Sequence, residues 1–533
     1  MTKVKYAKKS HPLYDYDFHI PPEGLDDKER KKLMDLFSNF IFEQKKRFLG
    51  YQVNEDVEHE RDTSQFLNCS MNNVGDPFTP GNFTANSKIM ERAVLDYYAK
   101  LWHAKLPHDQ SDPESYWGYS LTMGSSEGNI YGLWNARDYL AGRKLIVDSS
   151  SGNKKTRPGR QKYLRPITKE GDKKAHTPVA FYSQDTHYSV VKAMRVLAID
   201  TFHDIGSKYF KGKNPIDPNG SWDGYDEVPS QDGNGGIGSI DVDKLEILVE
   251  FFASEGYPIL INLNYGSTFK GAYDNVEEVE KRLMPIFKKH GLINRNVVYD
   301  EETGDSDHRN GFWIHVDGAL GAPYMPFLEM AKKKDPSVKC APMFDFRLPG
   351  VTSIVMSGHK WPGAPWPCGI FMTKVKYQIT PPADPEYLGS PDSTFAGSRS
   401  GFTPVILWNY LAKHSYEKQI KMALDCEKMA NYAFEQLKTV EASHKDIDLY
   451  IERSPLSLTV RFRKPNDQII FKYSLSCETL EIDGEKRPYA HLFAMASTSK
   501  ETINELVKDL TDANAFKREE KEPIAIQRRR GFQ

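Results

Sequence analysis

The sequence predicts an α/β fold, a three-layer sandwich around a mostly parallel sheet, and three observations carry that expectation. Strand and helix signals alternate from about Tyr116 to Met372, the pattern of crossover units that build parallel sheets. Several strand signals, such as Val351-Thr352-Ser353-Ile354-Val355-Met356, are largely apolar runs, as expected of strands covered on both faces. Residues able to do chemistry follow directly on those runs.

Taken in order, the elements are these. Between about Asp26 and Phe48, Leu33, Leu36, Phe37, Phe40 and Ile41 recur at helical spacing and predict an amphipathic helix that packs on a partner subunit or covers a site. Met123 to Asn129 leads into the helix-like Ile130 to Arg137, and Val179 to Tyr182 is a short buried strand. Pro258 to Asn262, Trp313 to Asp317, Val351 to Met356 and Gly369 to Met372 continue the strand series. Two stretches read as solvated loops: residues 143–177, basic through Lys154, Lys155, Arg157, Arg160, Lys162 and Arg165, and 214–240, rich in Gly, Asp, Asn and Pro. A helix-like run from Val405 towards Lys438, strands such as Leu456 to Phe462 and a helix near Thr502 to Leu510 suggest a small α+β domain. The expected division is a 1–105 helical dimerisation segment, a 106–410 large α/β domain and a 411–533 small C-terminal domain.

Composition sets bounds. With 533 residues, 39% hydrophobic and 12% aromatic, the chain can bury a sizeable core in more than one domain. A net charge of -2 argues against a nucleic-acid partner. No apolar run reaches the roughly 18 residues of a membrane span, and the basic start lacks the apolar region of a secretory signal. Cys69, Cys340, Cys368, Cys426 and Cys477 are scattered without metal spacing, so no metal site is expected and a cytoplasmic setting is.

Four segments carry the chemistry. Ser357-Gly358-His359-Lys360 closes a buried strand, and a lysine delivered there loses ammonium character by desolvation, which suits Schiff-base formation. Asp317, at the end of Trp313 to Asp317, can hold a pyridine nitrogen protonated, the electron sink that pyridoxal phosphate needs. Gly124-Ser125-Ser126 at a helix start offers backbone N–H groups, hydroxyls and the helix dipole to one phosphate. His187, after a short strand and before a helix, is placed to stack on a ring.

These phrases, with Asn72-Asn73-Val74-Gly75-Asp76-Pro77, Asp185-Thr186-His187-Tyr188-Ser189, Gly266-Ser267-Thr268, His315-Val316-Asp317-Gly318-Ala319 and Gly397-Ser398-Arg399-Ser400-Gly401, resemble the group II pyridoxal phosphate-dependent amino-acid decarboxylases, a family that includes aromatic amino-acid, glutamate and histidine decarboxylases. The resemblance spans most of residues 68–410 and implies an aspartate-aminotransferase-like fold, a homodimer with sites at the interface, and pyridoxal 5'-phosphate as cofactor. It implies Ser125 and Ser126 at the phosphate, His187 on the ring and Ala319 beneath it, Thr268 at the cofactor or substrate carboxylate, and Asp317 at the ring nitrogen. Ser357 and His359 would lie at the phosphate and reacting centre, with Lys360 as the Schiff-base lysine. Tyr387, in Asp384-Pro385-Glu386-Tyr387-Leu388, resembles a mobile-loop tyrosine that protonates the substrate carbon, a role His359 could share. Arg399 resembles an arginine near the substrate carboxylate.

Departures bear on substrate. Gly124-Ser125-Ser126-Glu127 stands where relatives commonly have Gly-Gly-Thr-Glu, and phosphate donors are kept. Ser400-Gly401-Phe402 replaces the Asn-Gly-His common in the histidine branch, which weakens histidine as substrate. Phe78, Phe395, Phe402 and Trp366 lie near the motifs, so an aromatic or medium apolar amino acid is expected, with histidine as runner-up and aminotransfer as a further alternative reaction. Phe78, Arg399 and Phe402 are the expected substrate contacts.

Overall fold

The structure, a computed structural model, describes residues 12–14, 18–147, 161–168, 173–382 and 385–517. Its centre is a six-stranded sheet in the order Tyr116–Leu121, Gly369–Lys374, Val351–Ser357, Phe312–Asp317, Ile259–Asn264, Val179–Phe181. The last four strands pair in parallel. Gly369–Lys374 runs antiparallel to both of its neighbours.

Alternation of side chains explains the layers. Ile259, Ile261, Leu263, Phe312, Ile314 and Val316 enter a core that includes Leu245, Leu248 and Phe252 of the Val242–Ser254 helix and Val279, Leu283 and Phe287 of Val276–Lys289. Leu260 and Trp313 point the other way, against Leu133, Ala136 and Leu140 of the Ser125–Leu140 helix and Val190 and Ala193 of Tyr188–Leu197. Both faces are thus covered, and each such buried aliphatic side chain contributes about 1.5–3 kcal/mol. All strands except Gly369–Lys374 end on the same edge, where the loops carrying the chemistry emerge.

A second, antiparallel sheet in the order Thr459–Arg463, Glu485–Phe493, Ser476–Ile482 packs Val460, Phe462 and Leu492 on Ile503 and Leu506 of Lys500–Leu510 and on Leu437. Leu49 belongs to this core, its N–H donating to the Tyr473 carbonyl and its own carbonyl accepting from the Phe493 N–H. The chain therefore touches the C-terminal core at Leu49 before it reaches the large sheet.

Two segments differ from expectation. The Val405 to Lys438 run is two helices, Phe402–Lys413 and Tyr416–Glu441, because Ser415 caps the second by accepting from the Lys418 N–H. Part of the basic stretch is a ribbon, Lys144–Val147 paired with Gln161–Leu164, while Lys154, Lys155, Arg157 and Arg160 lie outside the described residues. The expected N-terminal helix is present as Asp27–Lys45; it buries no residue within this chain and leaves Met34, Phe37, Ile41 and Phe42 exposed. Among the described residues no helix is long and apolar enough to cross a membrane.

Candidate active site

At the carboxyl edge of the sheet, where open α/β sheets bind their ligands, five loops converge on a slot lined by Ser125, His187, Asn264, Gly266, Ser267, Thr268, Asp317, Ala319 and Lys360. The register aligns Asn264 with Asp317 and Asp317 with Val355. The slot shares His187, Thr268 and Lys360 with a cavity of about 970 Å³ whose walls include Phe48, Tyr51, Gln52, Val53, Phe269, His359, Glu478 and Phe493.

The cup at one end is built by the start of the Ser125–Leu140 helix. Gly124 has φ +71°, and a Cβ there would lie 2.7 Å from His359 Cε1, so only glycine suits this turn. Glu127 draws the loop together, its Oε2 accepting from the N–H groups of Thr122 at 2.7 Å and Met123 at 2.9 Å. The Ser125 N–H donates to Ser357 Oγ at 3.1 Å. Ser126 follows Ser125 at the same helix start, just outside the slot lining.

Electrostatics favour a reactive amine. Burial lowers the Lys360 ammonium to about 8, against the opposing pull of Asp317. Burial, helped by Lys360, lowers His359 to about 4 despite the Cys368 backbone contact, so its imidazole is neutral near pH 7. His187 is lowered by burial too, with Asp317 opposing. The Asp317 carboxylate is held on both oxygens, Oδ1 by the Ala319 N–H at 3.2 Å and Oδ2 by Asn129 Nδ2 at 2.7 Å.

The slot suits pyridoxal phosphate. It offers an anion cup, a carboxylate, a weakly basic lysine, and His187 and Ala319 as walls, and these match the phosphate, ring nitrogen, aldehyde and ring faces of that group.

Four expected residues are elsewhere within the chain. Phe78 stacks on His108 with ring centroids 3.6 Å apart, and Phe402 stacks on Trp366; neither lines the slot or the cavity. Arg399 is fully buried in an ion pair with Glu91, so its charge is already spent and covered. Tyr387 is 80% exposed, in a turn tied down where Asn82 Nδ2 donates to the Glu386 carbonyl.

Sequence reasoning missed other residues. Asn264 stands beside Asp317 in register and donates to Ser183 and Thr186 at 3.0 Å; its place at a strand end was the available signal. The 48–54 segment carries no such signal, yet the Asn54 N–H donates to the Lys360 carbonyl at 3.1 Å. Gln52 is 5% exposed on the cavity wall, with Nε2 unpaired among the described residues.

Comparison with known proteins agrees with this geometry. Residues 226–439 match the pyridoxal-dependent decarboxylase conserved domain. The structure of L-methionine decarboxylase from Streptomyces sp.590 superposes with a TM-score of 0.86 at 46% identity, covering 95% of this chain and 99% of that one. Histidine decarboxylase of Solanum lycopersicum is 28% identical over 90% of this chain and 87% of its own length. Serine decarboxylase 3 of Oryza sativa subsp. japonica is 29% identical over 87% of this chain and 78% of its own length. With a fold type I sheet, a lysine and an aspartate on its carboxyl edge, and these relatives, the chain belongs to the group II pyridoxal phosphate-dependent amino-acid decarboxylases.

Proposed function

We propose that this decarboxylase acts on a medium-sized apolar amino acid, methionine foremost, releasing carbon dioxide and the corresponding amine. The observation that carries this reading is the 46% identity to a methionine decarboxylase over nearly the full length of both chains. The Phe48, Tyr51, Val53, Phe269 and Phe493 surfaces of the cavity support it, since they suit an uncharged side chain. Histidine is the second reading, favoured by histidine decarboxylases among the relatives and by Glu478 on the cavity wall, which an imidazolium could face.

Pyridoxal phosphate, when bound, supplies an aldehyde that condenses with amines and a ring that accepts the electron pair left by a departing carboxylate. In our reading Lys360 is the amine that carries it, and Asp317 holds the proton on its ring nitrogen. His187 covers one ring face, Ala319 the other, and Thr268 contacts the cofactor or substrate carboxylate. Ser125, Ser126 and the helix start hold the phosphate, with Ser357 and His359 beside them. Neutral His359 has no surplus proton to give, which supports Tyr387 as the donor to the substrate carbon. The exposure of Tyr387 and of the Asp27–Lys45 apolar face supports a homodimer in which the loop of one copy completes the site of the other. Five free cysteines suit the cytoplasm.

The test is an assay of purified holoenzyme against the twenty amino acids, scored for amine and carbon dioxide. Methionine should give the highest kcat/KM. A kcat/KM for histidine about tenfold above that for methionine would replace the first reading by the second.

A further inference from the structure

We infer that Asn129 is a positioning residue that aims both Asp317 and His187 at the cofactor ring; this rests on the assignment of Asp317 to the ring nitrogen. Asn129 is fully buried, one turn into the Ser125–Leu140 helix. A carboxylate only accepts, so the contact with Asp317 Oδ2 at 2.7 Å must be made by the amide Nδ2–H. Asn129 Oδ1 then faces His315 Nε2 at 2.9 Å, and that nitrogen must carry the hydrogen.

The remaining partners obey the same logic. His315 Nδ1, left without a hydrogen, accepts from Ser353 Oγ at 2.7 Å, and Ser353 Oγ accepts from Trp313 Nε1–H, a group that only donates, at 3.0 Å. Burial keeps His315 neutral by lowering it to about 4, with Asp317 opposing. Every donor from Trp313 to Asp317 is thereby forced in one direction, through side chains that are all buried.

A branch leads to the ring-facing histidine. Asn129 Nδ2 also donates to Ser189 Oγ at 3.2 Å. His187 Nδ1 accepts from the Ser189 N–H at 3.3 Å, so the Ser189 hydroxyl, 2.8 Å away, donates to it as well. One amide thus orients the acid at the ring edge and the imidazole on the ring face.

Its reach depends on two glycines. A Cβ at Gly128 would sit 2.2 Å from Val355 Cγ2, and one at Gly132 would sit 3.1 Å from His315. These positions let the helix lie close enough to the sheet for Asn129 to touch the strand end.

The experiment uses holoenzymes of wild type, Asn129→Leu, His315→Leu and His315→Gln, reconstituted with pyridoxal phosphate carrying 15N in the ring. The 15N chemical shift, bound cofactor, thermal midpoint and kcat are read together. Asn129→Leu should keep its Lys360-linked cofactor but move the 15N signal towards that of the unprotonated ring, and lose about tenfold to a hundredfold in kcat, the rate equivalent of one hydrogen bond to a charged group. His315→Leu should shift the same way. His315→Gln, whose amide can still donate to Asn129, should restore the signal; should Asn129→Leu not fold, this pair decides alone. A wild-type 15N shift and kcat in folded Asn129→Leu, or in His315→Leu, would overturn the inference. An Asp317→Asn control separates the two levels: full turnover there would remove the ring-nitrogen assignment itself.

Discussion

Replacing Arg399 by methionine separates two roles for that residue, a substrate contact and a structural ion pair. In the structure the guanidinium and Glu91 are both fully buried and joined. Arg399 also donates to the Gly75 carbonyl at 2.9 Å and to Ser120 Oγ at 3.2 Å, tying the 72–76 segment to the first strand of the sheet. Glu91 accepts in addition from the Ser120 N–H at 2.8 Å, the Ser120 hydroxyl at 2.7 Å and Asn73 Nδ2 at 2.8 Å. Breaking a buried pair from one side costs about 3–5 kcal/mol. Arg399→Met leaves Glu91 with three neutral donors and should fall at the lower end, about 3 kcal/mol. Glu91→Gln strands a cation with few acceptors and should fall near the upper end, about 5 kcal/mol. The double variant should cost less than the sum, since no buried charge is then left uncompensated.

The assay is urea denaturation followed by tryptophan fluorescence at fixed cofactor concentration, together with steady-state kinetics. Burial pushes the Glu91 carboxyl up, but Arg399 and the Ser120 donors outweigh it and hold it below its ordinary value. Its stabilisation is therefore complete above its unfolded value, near pH 4.5, and is lost as pH falls through the lower folded value. Arg399→Met should flatten that acid limb. An unchanged denaturation midpoint with KM raised about tenfold would refute the reasoning, and Arg399 would return to the substrate carboxylate.

Three further outcomes are expected. Borohydride treatment of the holoenzyme should fix the cofactor on Lys360, read by peptide mapping; an adduct on another lysine would move the site. Because burial lowers the Lys360 ammonium to about 8, the rate at which cofactor-free protein captures pyridoxal phosphate should rise about tenfold per pH unit well below pH 8 and level off above it, whereas a lysine at the ordinary value of about 10.4 would keep climbing. Tyr387→Phe should bind cofactor normally but release aldehyde and ammonia beside the amine, and an unchanged amine yield would assign the proton to another donor.

The sequence alone determined the central architecture and the cofactor chemistry. Runs such as Val351 to Met356 and Trp313 to Asp317 are largely apolar because they are covered on both faces; Asp317 ends the second, Lys360 follows shortly after the first, and the Ser125 turn opens a helix. Such signals are local, so they survive without coordinates. The sequence also placed Asn129, His315 and Glu127 beside the same motifs, but which atoms they touch depends on a helix lying against strands far away in the chain, at spacings set by Gly128 and Gly132. Long-range pairing alone decided the rest. Arg399 is 308 positions from Glu91, and nothing local marks a guanidinium as already neutralised. The 48–54 segment reaches Lys360 because Leu49 is anchored in a core formed mostly by residues beyond 430. Phe78 and Phe402 lie near the motifs in the chain yet pack on His108 and Trp366, because an aromatic ring gains more from the neighbours that enclose it than from proximity in sequence.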